Sequence, residues 1–529
     1  MISPGHISAP STARKRFHRW VYLGGLGLLA AGLPSSVFLM SISQIILFLN
    51  WLAEGELLVK FRRFAANRAA LVFVSIYLLH LAALFYSSNW DYGLSTLRTR
   101  LPIFLLTLVV ASSDPLRMHQ KRWILMAFSA SISVVSLVSL HIFLSGDFVD
   151  YRELSPFVSH IRLSLMVALS VFALSYMARR GFADLPLWSH IAWAMALWHL
   201  VYLFMLHSLS GMAAFIIVGL VLLVRYRHSF NRRWRPWLAT LAVLAVVFPA
   251  GLAWWLWQGL SHQEKVDPES LEEFTALGTP YLHLPDHPLR ENGHLVYIYV
   301  AEEELRERWN RDGRPDYDGY NQRGEPVKHV LLRYMSSLGL RKDAGGFDQL
   351  SQGDLEAIEE GIANVHYTRW PWIITRLHQS MWEIQQYRLT GNPAGHSLAM
   401  RFSFWQAAWE AIKKKPLLGW GTGDIREASA YGLKQIESPM DFERWMKPHN
   451  QYLSLAVLFG IPAMLYILFA MVYPAARQGA FSHMPFVAFF TILLVSMLNE
   501  DTIDTQAGLS FFVFFYNYFV FLEEAPGPS

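Results

Sequence analysis

Apolar residues in this chain fall in long blocks separated by short polar stretches. Segments such as Leu71 to Tyr86 and Trp123 to Leu144 contain almost no charge. An apolar run of about 18 residues is long enough to cross the hydrocarbon layer of a bilayer. The pattern predicts twelve spans, near 20–33, 36–53, 69–87, 98–112, 123–144, 159–178, 188–206, 210–225, 236–258, 449–474, 484–499 and 507–522. The blocks near 98 and 210 are short, which suits a tilted or partly re-entrant helix. Arg14, Lys15, Arg16 and Arg19 precede the apolar run Val21 to Leu33. That arrangement overlaps with a secretory signal, but further spans follow at once and favour an uncleaved first span.

Lysine and arginine in the short loops orient a polytopic chain. With the N-terminus inside, the inner loops hold Arg14, Lys15, Arg16, Arg19, Lys60, Arg62, Arg63, Arg68, Arg117, Lys121, Arg122, Arg179, Arg180, Arg225, Arg227, Arg232, Arg233, Arg235 and Arg477. The outer short loops and helix ends hold Arg98, Arg100, Arg152 and Arg162. The balance of 19 to 4 predicts that both termini lie inside and that the long segment after the ninth span lies outside. That segment carries helical apolar spacing at Ala301 to Asn310, Pro326 to Leu340, Asp354 to Ile362 and Trp372 to Leu389. His294 to Val300 reads as a short strand. The expected organisation is an all-α integral membrane protein of about twelve transmembrane helices. It divides into an N-terminal membrane region (1–258), a large, mostly helical outer domain (259–448) and a C-terminal membrane region (449–529).

Composition agrees: 53% of the 529 residues are hydrophobic and 16% are charged, against about 25% charged in an ordinary soluble protein. The net charge of +4 is scattered, which argues against nucleic-acid binding. There is no cysteine, so disulfides, thiolate metal sites and a cysteine nucleophile are excluded.

The richest chemistry begins at Arg401, in RFSFWQAAWEAIKKKPLLGWGTGD. Trp405, Ala408, Trp409 and Ile412 form an apolar stripe that Arg401 extends by one turn. A guanidinium there either snorkels to a carboxylate or grips a phosphate, for which its planar fork is suited. The GWGTGD run is a tight turn, or a backbone surface that Gly421 and Gly423 open to a ligand. His449 and Asn450 follow Pro448, which suits the first position of the tenth span. A helix start favours a neutral imidazole and an anionic ligand, and an interfacial anchor is the plainer role. His160 and Arg162 stand at the outer end of the sixth span. Asn499, Glu500 and Asp501 stand where the eleventh emerges. Two arginines, a histidine and a carboxylate at one membrane surface match what transfer from a lipid pyrophosphate needs.

The sequence R-x3-W at Arg401 and Trp405, P-L-L-G-x-G-x-G-D at Pro416 to Asp424, H-N-Q-Y-L at His449 to Leu453 and Gly460 resembles the O-antigen ligase/polymerase superfamily of bacterial envelope glycosyltransferases. The resemblance extends to Ser159 to Arg162 and Leu498 to Gly508. It implies a glycosyltransferase-C-like fold with the long loop in the periplasm. It also implies a glycan donor on undecaprenyl pyrophosphate in the inner membrane, and an acceptor such as lipid A–core. His449 and Arg401 match the family's outer-loop histidine and arginine. Many ligases open a middle span with an arginine, whereas the corresponding Leu209 to Met212 has none, and Arg162 is the candidate to supply that charge. The reading gives His449, Arg401 and Arg162 catalytic roles and Asn450, Gly421, Gly423, His160 and Glu500 substrate-binding roles. No metal or cofactor is expected, since nothing resembles a carboxylate cage. Polymerase and protein O-oligosaccharyltransferase activities remain alternatives within the superfamily. A transporter is the competing class, but one would be expected to carry midplane charges or internal repeats.

Overall fold

The computed structural model describes residues 12–522 apart from 147, 183, 230, 234, 262–263, 312–313 and 441–446. Part of the expected outer domain, including 441–446, therefore lies outside the described residues. Each apolar block forms a helix: Thr12–Ser35, Val37–Glu54, Arg68–Leu84, Trp90–Ser112, Met118–Ser145, His160–Tyr176, Pro186–Met205, Leu209–Arg225, Arg235–Ser261, Gln451–Arg477, Met484–Asn499 and Gln506–Val520. Among the described residues seven helices are long and apolar enough to cross a membrane, or eight with one bent pair, and Leu209–Arg225 and Met484–Asn499 are shorter. The protein is thus a multi-pass helical membrane protein.

Two helices differ from expectation. The fourth block starts at Trp90, because Asn89 caps it by accepting from the Tyr92 amide at 3.0 Å. Arg98 and Arg100 therefore lie inside the helix. The basic stretch before the third block is itself a helix, Leu57–Ala66, bent 92° from Arg68–Leu84. Its sequence LLVKFRRF is amphipathic, a pattern suited to a membrane surface.

The chain forms two compact units, residues 1–235 with 403–529, and residues 236–402. In the first, every residue from Ala507 to Val520 is buried. A helix apolar on all sides belongs at a bundle's centre. Its rings interlock with neighbours, as where Tyr516 stacks on Phe73 at 4.1 Å. At one end of the bundle Arg19 and Arg63 donate to the Asp114 carbonyl and carboxylate at 2.9 and 2.8 Å. Arg225 reaches the Phe481 carbonyl at 2.8 Å. These are loops expected on one side of the membrane.

The second unit has its own core, including Val296, Leu305, Trp309, Tyr317, Leu331, Tyr334 and Ile358. Its only regular strands among the described residues, Arg290–Glu291 and His294–Leu295, form a hairpin. The turn is Asn292-Gly293, both at positive φ, a strong two-residue hairpin signal. The strand expected over His294 to Val300 is accordingly shorter. The buried Glu291 carboxylate accepts from Arg333 and Asn364, both at 2.7 Å, so a buried charge is paired.

Residues 403–440 were expected with the outer domain but pack with the membrane helices. Ala408, Ala411 and Ile412 join the large core. The Asp424 carboxylate accepts from the Ser88 and Asn89 amides at 2.8 Å. The helix Ser397–Lys414 buries Phe404, Ala407, Ala408, Ala411 and Ile412, while Trp409 is 52% exposed. The stripe is therefore rotated from the expected one. Arg401, three residues before Phe404, still extends it and is half-buried.

Candidate active site

The helix Gln451–Arg477 is broken at Gly460, which has φ 80 and ψ 167. The break frees the carbonyls of Val457 and Leu458; the regular partner of the latter would be residue 462, a proline with no N–H. Inside a membrane such groups need protein partners. Trp420 N and Gly421 N donate to them, each at 2.9 Å, and Ile461 N donates to the Pro416 carbonyl at 2.8 Å. A Cβ on Gly460 would sit 2.2 Å from the Leu417 oxygen, and one on Gly421 (φ 109) 2.4 Å from Ser87 Oγ. Gly423 N donates to Ser87 Oγ at 3.0 Å. The amides of Gly421 and Gly423, expected to face a ligand, are bonded within the protein. The glycines are required because two backbones meet, and this corrects their expected role as ligand donors.

His449 lies just before this helix. Asn450, not Pro448, marks the helix start: its Oδ1 accepts from Leu453 N at 3.1 Å, and its Nδ2 donates to the Leu498 carbonyl at 3.0 Å. The side chain expected to bind substrate thus caps one helix and ties it to the end of another. His449 has φ 50, a left-handed conformation costing roughly 1–2 kcal/mol in a non-glycine residue. Its N–H donates to Asp501 Oδ2 at 3.1 Å, and Asp501 Oδ1 accepts from Ser454 Oγ at 2.5 Å. The imidazole Nδ1 is buried, has no hydrogen-bond partner among the described residues and lies 3.9 Å from Glu500 Oε2. That separation is electrostatic contact beyond hydrogen-bond reach.

The segment 499–506 collects groups from four other helices or their ends. Asn499 donates to Ser210 Oγ at 2.8 Å. Asp504 is buried and accepts from Arg100, from Lys447 Nζ at 2.8 Å and from Gln451 Nε2 at 3.2 Å. Ile503 N donates to Gln451 Oε1 at 3.0 Å. Gln506 Nε2 donates to Ser41 Oγ. Burial pushes Asp501 up to about 6, with Asp504 adding to the rise. Burial also opposes the charge on Asp504, but Arg100 and Lys447 outweigh it and hold that carboxyl well below the usual range.

Arg162 stands on the His160–Tyr176 helix, close enough to Glu500, Asp501 and Asp504 to feel their charge. It makes no hydrogen bond or ion pair among the described residues, and its Nε is buried without a partner. It lines a cleft of about 430 Å³ with Val37, Ser155, Phe157, Ser159, Thr505 and Gln506. His160 hydrogen-bonds through Nε2 to the Leu206 carbonyl and so fixes the start of its own helix. Ser164, half a turn beyond Arg162, meets Ser208 at 2.9 Å, and a Cβ on Gly211 would strike Ser164. The arginine-free opening of the eighth span therefore packs directly on the helix that carries Arg162.

Histidine, arginine and carboxylates are thus assembled at one end of a polytopic helical bundle. Sequence reasoning missed Arg100, Lys447 and Asp504. The available signal was three acids in the eight residues between two apolar blocks, which need buried cations. Among the described residues no three His, Asp or Glu side chains form a metal-holding group. The fold and cluster define a polytopic membrane protein with a polar cluster of histidine, arginine, lysine and carboxylates at one end of its bundle. Residues 366–468 match the family described as O-antigen ligase; the chain carries the domain of the O-antigen ligase/polymerase superfamily, a family of glycosyltransferase-like enzymes. That stretch contains Arg401, the glycine run, His449, Asn450 and Gly460, and His160, Arg162 and Glu500 lie beyond it. No curated protein matches the chain.

Proposed function

We propose that the protein is an O-antigen ligase-like transferase of the bacterial inner membrane, with twelve spans and a periplasmic active site. It moves a finished glycan en bloc from undecaprenyl pyrophosphate to an acceptor, foremost lipid A–core. The observation that carries this reading is an oriented histidine facing Glu500, together with a guanidinium that makes no hydrogen bond or ion pair among the described residues and lines a cleft.

The acceptor oxygen attacks the anomeric carbon and the bond from that carbon to the pyrophosphate oxygen breaks, inverting the centre. His449 takes the acceptor proton, with Glu500 favouring the imidazolium that forms. Arg162 and Arg401 stabilise the charge gathering on the leaving pyrophosphate. Asn450 and His160 hold the backbone around these groups, and the arginines do the work a metal ion would otherwise do. The size of the outer domain favours one large acceptor over stepwise chain growth. Among the aromatics of that domain, Trp309 and Tyr334 belong to the core, and Tyr320, 69% exposed, is the one open to a sugar ring among these three.

Reconstitution with lipid-linked glycan and a panel of acceptors tests the reading. Full-length glycan should move to lipid A–core, survive exhaustive chelation, and stop in His449→Ala. Arg401→Lys should lose at least about tenfold, because a point charge replaces a bidentate fork. Growth by single repeat units would make the protein a polymerase.

A further inference from the structure

His449 is held in a strained left-handed conformation, and the residues on both sides of it run to one buried carboxylate. Lys447, two residues before, and Gln451, two residues after, both donate to Asp504, at 2.8 and 3.2 Å. Arg100, 2% exposed, bonds the same carboxylate from a third helix. Gln451 is fully buried and returns a bond by accepting from Ile503 N at 3.0 Å. A buried ion pair gains little stability over apolar packing and is retained where it fixes one arrangement. Here its bonds bracket His449 on both sides.

We infer that Asp504, backed by Arg100, is the positioning residue that sets the His449 imidazole for proton transfer. The inference rests on the proposed transferase reading for its kinetic consequence. Asp504 reaches the imidazole only through the chain: its oxygens face Lys447, Gln451 and Arg100, while Glu500 faces the ring. Losing its charge should leave donor binding intact and misplace the base. A displacement of about 1 Å can cost on the order of a hundredfold in rate.

The test uses the full-length protein in liposomes. Asp504→Asn should lower kcat by about 10- to 100-fold while the donor KM stays within about twofold. Lys447→Met, which removes one donor at a half-exposed position, should lower kcat less. A second readout needs no activity: carbethoxylation of His449 by diethyl pyrocarbonate, followed on its own peptide by mass spectrometry. Its rate should change several-fold in Asp504→Asn and hold in wild type. Normal kcat per folded molecule in both variants would overturn the inference, as would a raised KM at unchanged kcat, which would make Asp504 a donor-binding group. If Asp504→Asn fails to fold, Lys447→Met alone decides by the same two readouts. No glycan transfer by wild type would sink the transferase reading, while altered His449 reactivity in the variants would still uphold its positioning by Asp504.

Discussion

At the scale of single residues, Arg162 is the group whose isolation bears most directly on function. Because it makes no described hydrogen bond or ion pair, Arg162→Ala should leave the amount of folded protein unchanged. Glycan transfer should fall by at least about tenfold, with Arg162→Lys between the two. Quantified transfer beside membrane abundance checks this, and equal transfer by Arg162→Ala would remove the arginine from the leaving-group site. Asp501 makes a different prediction. Burial disfavours its charge and pushes the folded carboxyl up to about 6, above the ordinary value of about 4. The folded state therefore holds that proton more tightly. The stability it contributes is fully present below about pH 4 and is lost as pH rises through about 6. Asp504 is shifted the other way, so its contribution is present above about 4 and fades only at lower pH. Thermal unfolding of the detergent-solubilised protein should show Asp501→Asn gaining stability relative to wild type as pH rises from about 4.5 to about 7; a difference that does not change with pH would refute the assignment. His449 was visible in the sequence because its neighbours form a motif. Asp504 and Arg100 were not, because 404 residues separate them: the acids between two apolar blocks call for a cation without saying which one.

At the scale of elements, a helix stands at each of the twelve apolar blocks, seven or eight of them long and apolar enough to cross a membrane, but hydropathy did not locate the helix ends. Asn89 and Asn450 set two starts by side-chain capping, which displaced Arg98 and Arg100 into a helix and His449 out of one. The stripe on Ser397–Lys414 was misphased because Trp409 is large and apolar yet exposed, as an interfacial tryptophan can be. The glycine run was read as open to ligand because three alternating glycines suit a cradle equally well. What decides is the break at Gly460, whose freed carbonyls take up those amides. Gly460→Ala and Gly421→Ala should therefore act on folding, each lowering stability by about 2 kcal/mol or more. The surviving folded molecules should turn over normally. Unfolding midpoints beside activity per folded molecule would show this, and a stable but inactive Gly421→Ala would return the turn to the substrate site.

At the scale of the whole molecule, the loops expected on one side do bond with one another within the first unit, as at Asp114 and Phe481. Reporter fusions at Arg233 and Gly346 should accordingly give opposite signals, and matching signals would refute the twelve-span order. The sequence misplaced the C-terminal limit of the outer domain, since a polar stretch outside a span can still pack on the bundle, as Asp424 does on Ser88 and Asn89. The seam between the glycine run and Gly460 has a consequence for how such chains are identified. It joins backbone to backbone, through the amides of Trp420, Gly421 and Ile461. On the proposed reading, a chain that kept Pro416 to Asp424 and Gly460 but lost His449 and Arg162 should fold as this one does and transfer no glycan, so the seam by itself does not mark an active transferase.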